Sequence, residues 1–317
     1  MSGMAKDLDV ITAGEAMVLF AAQQTGPLEN VSMFARTSAG AELNVAIGLA
    51  RLGLQVGYLS RLGNDAFGRF LLSTLQGEGI DSRQVAIDAQ RRTGFMLKSR
   101  SDDGSDPQIE YNRKNSAASC MSATEIDPVY CARARHLHLT GIYVGVSAST
   151  CDMIFELARL SRQAGLSISF DPNLRPALWP SQSEMVACLN RLSLLSDWVL
   201  PGLAEGQLLT GCDSAPGIAD FYLARGARHV VVKLGAEGAY YASADERGWV
   251  PGIAVQRIVD TVGAGDGFAV GIISGLLEGL SLKEATDRAN QIGARVLQFP
   301  GDSDGLPTRA ELQARTI

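Results

Sequence analysis

The stretch Asp260-Thr261-Val262-Gly263-Ala264-Gly265-Asp266-Gly267-Phe268 decides how the rest of the chain is read. Upstream of it, Val255 to Val259 is apolar-rich and reads as a strand. Downstream, Phe268 to Leu280 is apolar almost throughout and long enough for a buried helix. The nine residues therefore join a strand, through a glycine turn, to a helix N-terminus. The first N–H groups of a helix have no partner inside it, and with the helix dipole they attract an anion. Gly263 and Gly265 leave the backbone free of Cβ atoms where that anion would approach. Asp266 falls in the first helical turn, beside the anion, where a carboxylate can take the proton of a hydroxyl that attacks phosphorus. The same spacing also suits a plain glycine-rich helix start with Asp266 as an ordinary N-terminal acid. Two other nucleotide signatures fail. Gly-x-Gly-x-x-Gly would need glycine at Phe268, and no Gly-x-x-x-x-Gly-Lys-Ser/Thr occurs in the chain.

Composition narrows the function classes. The 317 residues are 46% hydrophobic and 20% charged, which suits a globular α/β protein of one large domain or two smaller ones. A formal net charge of -6 without blocks of like charge argues against a nucleic-acid partner. No apolar run reaches the length of a membrane span, and the N-terminus lacks a signal segment, so no membrane partner is expected. Cys120, Cys131, Cys151, Cys188 and Cys212 are scattered without a Cys-x-x-Cys pair, which fits reduced thiols in the cytoplasm better than a metal-thiolate site. His136, His138 and His229 lie in apolar runs and read as packed residues. The residues before Lys6 are expected to lie outside the folded body.

Asp260 to Asp266 resembles the C-terminal signature of the ribokinase-like (PfkB) carbohydrate kinases. The resemblance implies one kinase domain over residues 1–317: a doubly wound, mostly parallel sheet flanked by helices, with a small β-sheet lid. Asp266 would be the catalytic base, and Gly263, Ala264 and Gly265 the anion hole. ATP and Mg2+ are the implied cofactors, with a monovalent cation as a further candidate.

Leu8 to Thr12 reads as a central strand ending in a functional loop at Ala13-Gly14-Glu15. Residues 16–38 read as short strands projecting from the body. Gly40 and Asn44, in the helix start Ala39 to Ala46, resemble the family's Gly-Gly-x-x-x-Asn element with Ala41 in place of the second glycine, which implies contact with sugar hydroxyls. Gly63-Asn64-Asp65-Ala66-Phe67-Gly68 resembles a second signature, in which Asp65 reads as a helix cap. Residues 84–88, 93–99 and 108–112 read as strands, with a polar turn at Asp102-Asp103-Gly104; by resemblance, segments 84–114 and 16–38 build the lid. Exposed lid strands are open to pairing with a second copy, so a homodimer or larger assembly through the lid is a partner expectation.

Two arginines bear on substrate choice. Tyr111-Asn112-Arg113-Lys114-Asn115-Ser116-Ala117 resembles the Tyr-x-Arg-x-x-Ser-Ala stretch of the 2-keto-3-deoxygluconate kinase subfamily. Asp171-Pro172-Asn173-Leu174-Arg175, with Leu178-Trp179, resembles a second element of the same subfamily, placed just past a strand end. A guanidinium suits a sugar carboxylate through two parallel bonds, although either arginine alone also reads as a solvated surface residue. Two arginines on one pocket fit an acidic sugar better than a neutral one, and the resemblance implies 2-keto-3-deoxygluconate as the substrate, phosphorylated at its 6-hydroxyl, with Tyr111 among the substrate-binding residues. A neutral ketose such as fructose is the alternative within the family, and a non-catalytic sugar-binding regulator the alternative outside catalysis. Glu205, in Pro201-Gly202-Leu203-Ala204-Glu205, matches the family's Asn-x-x-Glu element, which implies Mg2+ binding through water; Gly202 stands where asparagine is usual. Lys233, Gly235 and Gly238 resemble the nucleotide turn, although a Gly-x-x-Gly between strands is more simply a hairpin. By the same resemblance Thr261 joins the nucleotide set and Asn290, with Ala294, flanks the adenine ring, although the stretch also reads as plain helix.

Overall fold

The computed structural model describes residues 6–100 and 107–314. Strand β1 (Leu8–Ala13) has parallel partners along both edges: Val10 faces Val56 on one side and His136 on the other. In chain order the other strands are β2 (Met17–Thr25), β3 (Phe34–Ala39), β4 (Val56–Gly63), β5 (Asp81–Asp88), β6 (Phe95–Arg100), β7 (Ile109–Asn112), β8 (Ala134–Thr140), β9 (Ser167–Asp171), β10 (Trp198–Val199), β11 (His229–Lys233), β12 (Gly238–Ala242) and β13 (Arg247–Pro251). Among the described residues one sheet has nine strands in the order β13-β12-β11-β10-β9-β8-β1-β4-β5. Neighbours from β5 to β11 run parallel, and β12 and β13 return antiparallel at one edge.

Helices cover both faces, as buried parallel strands require. On one face lie α1 (Ala41–Arg51), α2 (Ala66–Gly77), α8 (Ala264–Leu277) and α9 (Leu282–Val296). On the other lie α3 (Pro128–Cys131), α4 (Ala148–Gln163), α5 (Gln182–Ser193), α6 (Leu203–Thr210) and α7 (Ala215–Leu223); α10 (Arg309–Gln313) follows near the end. Strand alternation feeds the two cores: Val230 and Val232 pack into one, Val231 into the other. His136 and His138 are buried core residues whose ring nitrogens meet the Ser167 and Ser169 hydroxyls. Burial pulls His138 down to about 3, so it stays neutral. No helix among the described residues is long and apolar enough to cross a membrane.

Asp65 caps α2, as its sequence context suggests. One carboxylate oxygen accepts the Gly68 N–H at 2.7 Å, and the other accepts the Thr93 N–H at 2.8 Å. Asp65→Ala is expected to lower stability by about 1–2 kcal/mol, the range for a lost N-cap, read as an earlier midpoint in urea denaturation.

The lid is a separate sheet in the order β3-β2-β6-β7. Its make-up departs from expectation at one place. Residues 84–88 belong to β5, which follows α2 and returns parallel to β4 on the edge of the large sheet, with Leu59 opposite Gln84. The lid thus draws on 17–25 and 34–39 of the first segment, and on 95–100 and 109–112 of the second. A second correction concerns Val255 to Val259, which forms no strand. The N–H groups of Val259 and Asp260 both turn to the Leu297 carbonyl after α9, leaving no sheet edge to join, and Ile258 is 57% exposed. Apolar β-branched residues do not make a strand without a partner. The expected turn at Asp102-Asp103-Gly104 and the residues before Lys6 lie outside the described residues.

Candidate active site

Helix α8 opens at Gly263, whose φ of 86 places it in the left-handed region. The Gly267 N–H makes the first helical bond, to the Gly263 carbonyl, so the N–H groups of Ala264, Gly265 and Asp266 precede the ladder. Asp266 is buried in this first turn. Two amides reach it from other elements. Asn44 Nδ2, on α1, donates to Oδ2 at 2.8 Å, and Asn173 Nδ2, in the loop after β9, donates to Oδ1 at 3.4 Å. Burial raises the Asp266 carboxyl from 3.8 to about 7, against the Asn44 bond; the Asp171, Asp302 and Glu42 carboxylates push the same way. A carboxylate so tuned takes a proton more readily than an exposed one near neutral pH.

The glycine turn and Asp266 form one wall of a cavity of about 710 Å³. Thr261, Val262, Gly263 and Gly265 lie at one end with Lys233 and Glu205. Lys233 is the last residue of β11, and its Nζ donates to both Asp171 oxygens at 2.9 and 2.7 Å. Burial alone would lower the Lys233 ammonium, but Asp171 and Glu205 hold it above the ordinary lysine value. Among the described residues a Cβ built on Gly265 would meet only Lys233 Nζ, at 3.7 Å, so this corner is open, with an ammonium paired to Asp171 at its edge. Bare N–H groups, an open glycine and an ammonium are a donor set that fits a polyphosphate. Glu205 accepts the Gly202 N–H at 2.7 Å and the Leu174 N–H at 2.7 Å, one per oxygen. No group of three or more metal-ligating side chains occurs among the described residues, so Glu205 fits an outer, water-mediated role toward a metal and not a protein cage.

The cavity is also lined by Gly40 and Asn44 and by the lid residues Met17, Met96 and Ile109. The Asn44 side-chain oxygen is buried and has no hydrogen-bond partner among the described residues, which leaves an acceptor for a ligand hydroxyl. Tyr111, Arg113 and Arg175 line the cavity as well. The two arginines differ. The Arg113 Nε bonds Glu15 at 2.7 Å, and Ser116 holds the other Glu15 oxygen, so the Arg113 charge is matched inside the protein. Arg175 is exposed and donates to the carbonyl of Leu174 at 2.9 Å; among the described residues it has no carboxylate partner.

Three of the expected nucleotide residues lie off the cavity wall. Gly235 opens the turn of the β11–β12 hairpin, and Gly238 is packed against the Val250 to Gly252 backbone. Asn290, on α9, donates to the carbonyls of Val250 and Pro251 at 3.4 and 3.0 Å, bracing the same segment. Asn173, Glu15 and Asp171 also belong to the site; the sequence places them in a functional loop and in the element before Arg175 but assigns none of them a role. A signal existed for two of them. Asp171 and Asn173 flank Pro172 at the end of β9, where open α/β sheets bind ligands; the structure adds that Asn173 takes a φ of 38, rare outside glycine.

Similarity to known proteins agrees with this geometry. A sequence profile described as pfkB family carbohydrate kinase matches residues 7–309. The 2-dehydro-3-deoxygluconokinase of Bacillus subtilis (strain 168) is 52% identical over 306 residues, 96% of this chain and 94% of that protein. The crystal structure of a PfkB protein from Polaromonas sp. JS666 superposes with a TM-score of 0.90 at 51% identity, covering 97% of this chain and 99% of that one. A putative ribokinase II from E. coli, solved in complex with ATP and Mg2+, superposes with a TM-score of 0.90 at 28% identity, covering 98% and 99%. The nine-stranded sheet with its separate lid is accordingly the ribokinase-like fold, and the chain belongs to the pfkB family of carbohydrate kinases.

Proposed function

We propose that the protein transfers the γ-phosphoryl group of ATP to the 6-hydroxyl of 2-keto-3-deoxygluconate. The observation that carries the reaction is the buried Asp266 carboxylate in the first turn of α8, next to N–H groups outside the helix ladder. The substrate assignment is supported by the Bacillus subtilis relative and by Arg175 in the pocket lining, which has no carboxylate partner among the described residues.

The sugar lies between Asn44 and the lid, with a hydroxyl donating to the free Asn44 oxygen. Asp266 takes the proton of the attacking hydroxyl, whose oxygen forms the new bond to the γ-phosphorus as the bond to ADP breaks. The N–H groups of Ala264 and Gly265 hold the charge that develops on the phosphoryl oxygens. Lys233, and Thr261 in the turn, line the phosphate path. Mg2+, held by the phosphates and by water bound to Glu205, would neutralise phosphate charge. The adenosine would extend past the hairpin turn at Gly235, with Gly238 and Asn290 stiffening that wall. The sugar carboxylate falls to Arg175, while Arg113, locked by Glu15, orients Tyr111 and the lid edge.

An ADP-release assay with Mg-ATP against 2-keto-3-deoxygluconate, gluconate, fructose, ribose and 2-deoxyribose tests this reading. Strong preference for the keto-deoxy acid is expected; preference for fructose would keep Asp266 as base and remove the carboxylate assignment. No turnover with any sugar, despite bound ATP, would favour the regulator reading. Arg175→Ala is expected to raise KM for the acid about tenfold, as for a lost charge-assisted bond, with kcat changed little and neutral sugars unaffected. Unchanged KM for the acid would end the role of Arg175.

A further inference from the structure

Lys98 stands on lid strand β6, on the same side as Met96, which lines the cavity. Its side chain is 4% exposed, unusual for a lysine. Nζ donates to Asp260 Oδ2 at 2.6 Å and to Asp302 Oδ1 at 2.7 Å. Both carboxylates belong to residues that frame the glycine turn. Asp260 begins it, and its other oxygen accepts the Val262 N–H at 3.0 Å. Asp302 backs it: the Asp302 carbonyl lies 2.3 Å from where a Cβ on Gly263 would stand. One ammonium thus grips the front and the back of the turn whose N–H groups face the cavity.

The charges make the grip necessary. Burial raises the Asp302 carboxyl, and Asp260 pushes the same way, while Lys98 opposes both. Burial would lower Lys98, yet Asp302 and Asp260 hold it above the ordinary lysine value. Without the ammonium, two nearly buried carboxylates would face each other across the turn, and one would have to move or take up a proton.

We infer that Lys98 is a positioning residue: its ammonium, supplied by the lid, does between Asp260 and Asp302 what a bound monovalent cation would do, and so fixes the anion-binding turn for phosphoryl transfer. This rests on the kinase reading of the turn, and it adds that the enzyme needs no monovalent cation at this place.

The test compares wild type and Lys98→Ala in choline, sodium, potassium and ammonium chloride at constant ionic strength, with ADP quantified directly by chromatography. Wild-type kcat is expected to vary by less than about twofold across the salts. Lys98→Ala is expected to lose at least about tenfold in kcat in choline, with KM for the sugar acid within about threefold, because a misplaced turn is felt mainly in the transition state. Ammonium or potassium, entering the space left by the side chain, should restore most of that loss. Lys98→Met, which fills the space without a charge, should lose activity and not recover. The inference is overturned if Lys98→Ala keeps wild-type kcat in choline. It is equally overturned if the variant melts like wild type, loses activity and answers to no cation. Should Lys98→Ala fail to fold, the wild-type series decides alone: strong activation by potassium or ammonium overturns the inference, and indifference upholds it. A wrong sugar assignment would look different, since wild type itself would prefer another sugar, and the salt series would be run with that one.

Discussion

Asp266→Asn is expected to lower kcat by about 10³-fold, within the range for a lost general base, while KM for the sugar acid stays within a few-fold. The amide keeps the shape of the carboxylate and can still accept the Asn44 bond, so binding is largely preserved. What disappears is the capacity to take a proton as the oxygen attacks phosphorus. In wild type the carboxyl titrates at about 7, so kcat/KM should rise tenfold per pH unit below that value and level off above it. The acid limb should be missing from the residual activity of the variant. Stability should move the other way. Between pH 3.8 and about 7 the folded chain keeps a proton on Asp266 that the unfolded chain has released, so stability falls as pH rises through that window. By pH 8 the buried carboxylate is ionised, and holding that charge away from water costs on the order of a few kcal/mol. Asparagine cannot ionise. The variant should therefore melt higher than wild type at pH 8 and have a smaller advantage at pH 5. Equal turnover in the variant would take Asp266 out of the mechanism; a lower Tm at pH 8 would mean that it had lost its fold along with its base.

What could be read in advance follows from how far apart the partners are along the chain. The glycine turn, the Asp65 cap and the helices are local, so spacing and residue type were enough. The alternating strands likewise gave a parallel sheet, because apolar strand runs separated by helices leave few other arrangements. Long-range pairing carried no such signal. Arg113 reads as a free cation until Glu15, 98 residues away, is seen to hold it. Lys98 and Asp302 are separated by 204 residues. Asn173 shows no role in its local sequence until its amide is found beside Asp266, 93 residues on. The two misplaced strands have a related cause. Val255 to Val259 has strand-like composition but no edge to join, and residues 84–88 are strand in either sheet, so composition could not say which sheet would take them.

Gly263→Ala and Gly279→Ala form a matched pair that separates backbone strain from the function of the turn. Both glycines have a φ of 86; they lie at opposite ends of α8. Around Gly279 nothing lies within 4 Å of an added Cβ, so alanine there meets only the left-handed strain, about 1–2 kcal/mol, and turnover should be unchanged. At Gly263 the same Cβ would stand 2.3 Å from the Asp302 carbonyl oxygen. That atom is backbone and cannot swing aside, so the turn itself must shift. A displacement approaching 1 Å would pull the Ala264 and Gly265 N–H groups away from the phosphoryl oxygens and lower kcat by about 10²-fold. Gly265 completes the comparison. Among the described residues its added Cβ would meet only Lys233 Nζ, so Gly265→Ala should fold normally and instead weaken ATP binding by intruding on the phosphates. Melting curves and steady-state kinetics on the three variants check the set. If Gly263→Ala lost no more activity than Gly279→Ala, the turn would be a helix start and nothing more, and Asp266 would have to work without the anion hole built beside it.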